Sequence, residues 1–206
     1  PFFLNHEPAI RDAQESRGLG DVYKRQRQYR VFLYVFYACA IIMTTITIYG
    51  TVSMIQEWQE NGTYVMGEVL VGTHVPFENF ANLTTWLSFA CIISWYCISR
   101  IGWKRTVGLQ SYRMALLQLM LLGFAIICLY EVLWSFTVLN AEITAQMVLD
   151  GTTPDIDKLA VHYPDPDRPW NLIFATKIWL VGFIISAHAF YLSKKPRKTL
   201  EDLDPN

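Results

Sequence analysis

The chain has 206 residues, 52% of them apolar and only 17% charged, with a formal net charge of -1. So little polar side chain cannot clothe a conventional soluble domain, which excludes an ordinary water-soluble enzyme or nucleic-acid binder and points to a membrane protein. Four apolar stretches, about 29–55, 83–103, 112–139 and 170–192, carry the excess, and each reaches the roughly 20 residues a helix needs to cross a bilayer. The expected fold is all-α: a polytopic four-transmembrane-helix bundle forming one domain over 28–198, with a C-terminal tail at 199–206.

Residues 1–27 are expected to be a non-native or disordered tail. The first sixteen show neither helical nor strand periodicity, and 17–26, RGLGDVYKRQ, resemble a translated sequencing-adapter remnant. The first span begins near Gln28. Thr44, Thr45, Thr47 and Thr51 crowd its second half, where hydroxyls can bond back to carbonyls of their own helix. Helical pattern continues through Gln56, Glu57, Gln59 and Glu60 until Asn61-Gly62 stops it, so the helix is expected to project beyond the bilayer.

The connection 63–82 alternates at 64–71, predicting a short extended segment. Met66 and His74 are soft or borderline donors there, but no second His or Cys stands at ligand spacing, and no metal site is assigned. Two Asn-X-Thr sequons, at Asn61 and Asn82, are candidate glycosylation sites. The second span carries Trp86 and Trp103 at its two ends and Arg100, Lys104 and Arg105 at the second. The link to the third span is short, so helices two and three are expected to be antiparallel neighbours.

The third span contains Glu131 and is expected to run on to the stop at Asp150-Gly151. Prolines 154, 164, 166 and 169 stiffen the acidic loop that follows, with Asp155, Asp157, Asp165 and Asp167 among them. The fourth span holds Lys177 and His188, and a basic run from Lys194 to Lys198 closes it.

Sorting the charges gives the orientation. Lys and Arg collect in the N-terminal tail, the second-to-third link and the C-terminal tail, whereas the other two connections are acidic. The positive-inside rule then places both termini in the cytoplasm and the acidic loops outside a cell membrane.

Within the hydrocarbon, Glu131 and Lys177 stand about nine residues from the same face on consecutive antiparallel helices, and an isolated charge there costs about 3 kcal/mol. An intramembrane ion pair is expected. Ser94, Gln118 and His188 lie at similar depth near the cytoplasmic side and are candidates for an inner polar layer. Gln118 and Glu131, however, are 13 residues apart and point away from each other on one helix. Cys39, Cys91, Cys97 and Cys128 all fall inside spans without a CxxC, as packing thiols rather than a disulfide framework.

Catalytic motifs are absent: no P-loop, no GxSxG and no HExxH. His188 is the only histidine in the spans, so a haem held by two histidines would need a ligand from elsewhere. The expected role is a non-catalytic integral subunit of a multi-subunit membrane complex, embedded in lipid and bound to other integral membrane subunits, with no nucleic-acid partner. An oxidoreductase, respiratory or of the copper-monooxygenase type such as an archaeal ammonia monooxygenase, is the expected complex, with copper or haem in partner subunits and no cofactor in this chain. The alternatives are a small homo-oligomeric channel or transporter using Glu131 and Lys177 and, third, a membrane sensor or assembly factor.

Overall fold

The computed structural model describes residues 7–78, 80–102, 111–161 and 170–194. Four long helices dominate: α1 (Glu7–Asn61), α3 (Leu83–Gly102), α4 (Ser111–Asp150) and α5 (Leu172–Lys194), with a five-residue α2 (Glu68–Gly72) between the first two. Lys104, Arg105, the 162–169 part of the acidic loop and the basic run from Lys195 lie outside the described residues.

Both predicted helix stops are present. α1 ends at Asn61 with Gly62 at φ 72°, and α4 ends at Asp150 with Gly151 at φ 66°, the left-handed conformation that glycine adopts without a Cβ penalty. The threonines of α1 bond back as expected: the Thr44 hydroxyl donates to the Ala40 carbonyl and that of Thr51 to the Thr47 carbonyl, each at 2.8 Å.

Among the described residues, three helices are long and apolar enough to cross a membrane: Arg27–Asn61, Tyr112–Leu149 and Leu172–Lys194. α3 takes up the second apolar stretch as a 20-residue helix but is less apolar, because Thr84, Thr85, three serines and Arg100 interrupt it.

The long helices form an open row in the spatial order α1, α3, α5, α4. α1 and α3 are antiparallel, joined by Cys91 Sγ on Met43 Sδ at 3.4 Å and by an edge-to-face Phe32–Tyr96 pair with centroids 6.2 Å apart. α3 and α5 run parallel. α5 and α4 are antiparallel, and a Cβ added to Gly182 would sit 3.0 Å from Cys128 Sγ, so the backbone of α5 comes close to α4 there. The expected neighbour relation between helices two and three is corrected by this order: α4 packs on α5, which stands between it and α3. A short link limits how far apart two helix ends can be, but does not say which helix fills the space between them.

A small cap closes one end of the row. The predicted extended segment at 64–71 is helical in its second half, and only Met66, bridged to Trp170, pairs as a strand does. Gly67, at φ 83°, turns the chain into α2, which buries Leu70 and Val71. A side chain at Gly67 would overlap the Phe174 ring, so the position needs glycine for both space and conformation. A 3₁₀ turn (Ile156–Lys158) and a two-residue antiparallel pair, β1 (Ala160–Val161) with β2 (Trp170–Asn171), complete the cap. The Asn171 and Leu172 amides donate to the Met66 and Leu159 carbonyls at 2.9 and 3.0 Å, tying both connections to the start of α5. The largest fully buried side chains include Leu172, Val71, Asn171 and Thr84, so the densest core lies under the cap.

Candidate functional site

Two asparagines start two parallel helices under the cap. Asn82 stands just before α3, and its Oδ1 accepts from the Thr85 amide at 3.1 Å and the Thr85 hydroxyl at 2.6 Å. Asn171 stands just before α5, and its Oδ1 accepts from the Ile173 and Phe174 amides at 3.0 and 3.1 Å. Each satisfies amides that a helix N-terminus otherwise leaves unpaired. Asn171 also donates from Nδ2 to the Asp157 carbonyl, which anchors the 3₁₀ turn to α5.

Lys177 lies six residues beyond Asn171, about 9 Å along α5. Its Nζ donates to Asn82 Oδ1 and Thr85 Oγ1, both at 2.8 Å. The flexible butyl stem allows this reach toward the helix ends. Asp157 is the carboxylate whose charge acts on Lys177. The ammonium is therefore held by two neutral oxygens of α3, with an acidic group on the cap side.

The expected Glu131–Lys177 ion pair is not formed among the described residues. Glu131 is half-buried on α4 and acts electrostatically on Cys128. The reason lies in the rotation of α5. Gly182 faces α4, and the five residues back to Lys177 turn the side chain about 140° around α5, onto α3. Gln118 does reach from α4 to α5, its Nε2 donating to the Ser193 carbonyl at 3.1 Å.

Lys177 and His188, 11 residues apart, do share a face. His188 Nδ1 accepts from Trp95 Nε1 at 3.0 Å, with the rings edge to face. The proposed layer of Ser94, Gln118 and His188 does not come together by hydrogen bonds: each of the latter two has another partner, and the buried Ser94 hydroxyl has none. Its members remain separate features of three helices.

The sequons divide. Asn61 is exposed at the end of α1, whereas Asn82 is 8% exposed with its side chain used by Thr85 and Lys177. Folded, Asn82 cannot accept a glycan, which corrects its candidacy. His74 forms a backbone bridge with Asn82, and no group of three or more His, Cys, Asp or Glu is poised to hold a metal among the described residues. All four cysteines are free, and Cys39, Cys97 and Cys128 are buried as packing thiols.

Thr85, Asn171 and Trp95 were missed from sequence. Asn171 had a signal: an asparagine immediately before an apolar helical run is an N-cap pattern, and Asn82 shows the same one. Trp95 had none, because a tryptophan within a span is read first as lipid-facing. Chemically, the assembly holds one ammonium against two oxygens of α3 and one imidazole nitrogen against an indole N–H. No family model matches the chain, and no curated protein or solved structure is found to be similar to it.

Proposed function

We propose that the chain is a non-catalytic integral subunit of a larger membrane complex, crossing the bilayer four times with both termini in the cytoplasm and the cap outside. The observation that carries this reading is the open row. α1 and α4 stand at its two ends and present large apolar side chains, Ile41, Ile48 and Val52 on one and Leu119, Met120, Ile126 and Phe136 on the other. Their apolar helices run 35 and 38 residues, roughly 50 Å or more against a hydrocarbon core of about 30 Å. Helices of that length at the edges of a row offer contacts both within lipid and beyond it.

The channel reading receives less support. Lys177 and His188 are each engaged by α3, and Glu131 forms no ion pair with Lys177 among the described residues, which leaves the path this reading needs without its central pair. The narrower form of the proposal places the complex among oxidoreductases, respiratory or of the archaeal copper-monooxygenase type, with copper or haem in the partner subunits.

Native mass spectrometry of the particle extracted in mild detergent tests the proposal. Fixed-ratio co-purification with different chains is the expected result, and the partners then identify the enzyme. A particle made of this chain alone would sink it.

A further inference from the structure

A cavity of about 250 Å³ opens under the cap where α1, α2, α3 and the start of α5 meet. Most of its wall is apolar, with Leu70, Leu87, Val69 and Phe174 facing it. Glu57, from the last turns of α1, supplies the one carboxylate in that wall. Its Oε2 is shut off from solvent and has no hydrogen-bond partner. The nearest hydroxyl in the wall with a known partner, that of Thr51, is committed to the Thr47 carbonyl at 2.8 Å. Burial pushes the Glu57 carboxyl above the usual carboxylate range, the negative charge of Glu68 on α2 adds to this, and a hydrogen bond from the Val65 amide opposes both.

An enclosed carboxylate oxygen without a donor is costly, and the position calls for a positively charged N–H group. Water satisfies such groups where a site offers it several polar partners, and this wall offers few. A metal ion would need more than one hard ligand, and no cluster of three is present among the described residues.

We propose that this cavity binds an organic ammonium group. The N–H donates to the Glu57 carboxylate, and the adjoining alkyl stem lies against Leu70, Leu87 and Phe174. A free primary amine and the ethanolamine headgroup of an aminophospholipid present the same chemistry. This site is independent of the complex proposed above and of the Lys177 clamp.

The test titrates n-butylammonium and 1-butanol into the purified full chain in detergent by calorimetry. In parallel, native mass spectrometry reads lipid retained from nanodiscs of phosphatidylethanolamine or phosphatidylglycerol. Saturable binding of butylammonium is expected, with the alcohol weaker by about tenfold or more and Glu57→Gln costing about the same. Glu60→Gln, exposed on the same helix, should bind as the wild type does. Leu87→Trp, which fills the cavity and leaves Glu57 in place, should abolish binding and keeps the test intact if the Glu57 variant misfolds. Glu57-dependent retention of phosphatidylethanolamine over phosphatidylglycerol identifies the lipid headgroup; butylammonium binding without it identifies a free amine. Equal binding of alcohol and amine, affinity unchanged in Glu57→Gln or in a folded Leu87→Trp, or no binding in either arm overturns the proposal.

Discussion

α5 has two seams, and they are built on different principles. Toward α3 it presents long polar side chains, Lys177 on Asn82 and Thr85 under the cap and His188 on Trp95 further along. Toward α4 it presents glycine against a thiol, with one amide-to-carbonyl bond at the far end. The first seam is specified by direction, because a hydrogen bond made from a rotated helix fails. The second is specified by closeness, because small residues let two backbones approach and gather dispersion contacts. Polar groups fix register between the parallel pair, and shape fixes the antiparallel one.

The largest break should come at the close seam. Gly182→Leu must displace Cys128 and with it α4, a loss of about 3 kcal/mol in unfolding free energy, measured by steric trapping or denaturant titration in detergent. A smaller effect there would mean that α4 is held elsewhere. Next comes Asn82→Ala, which removes a helix cap and one of the two acceptors of Lys177; about 2 kcal/mol is expected. It should also leave Asn171, on the other parallel helix, unaffected.

A double-mutant cycle separates the observed partner of Lys177 from the one suggested by charge. Lys177→Met with Thr85→Val should couple by about 1 kcal/mol, whereas Lys177→Met with Glu131→Gln should be additive within about 0.5 kcal/mol. Strong coupling to Glu131 would restore the ion pair and rotate α5 in the row. Trp95→Phe is milder, losing one interhelical hydrogen bond within a span and about 0.6 kcal/mol. The smallest perturbation is chemical: expressed in a glycosylating host, the protein should carry at most one N-linked glycan, on Asn61, by intact mass. A second glycan on Asn82 would show that the α3 cap opens before or after insertion.

Much of the helical layout could be read from residue types. Hydropathy and glycine stops place α4, α5 and the end of α1 nearly as found, since both signals are local to a segment, but α1 begins at Glu7, inside the stretch expected to be a non-native or disordered tail. Distance along a helix was also legible, because counting residues along a helix is counting rise. Rotation was not. Which way α5 turns depends on where Gly182 must face, and that depends on Cys128 of another helix. Spatial order was hidden for a related reason: connectivity brings α3 and α4 into sequence proximity, while the row is decided by which surfaces fit. The alternation at 64–71 misled because Gly67, in a left-handed turn under Phe174, outweighs a pattern of period two.

Chain order and spatial order differ in a way that bears on synthesis. α5 leaves the ribosome after both α3 and α4, yet it takes an interior place between them. α1 can pair with α3 early, as neighbours in time. α4 emerges before its principal partner exists, and Asn82 waits without the ammonium that will bind it. Both seams therefore close in one late event, and a chain interrupted within the connection before α5 leaves one hairpin and one solitary apolar helix for quality control to find.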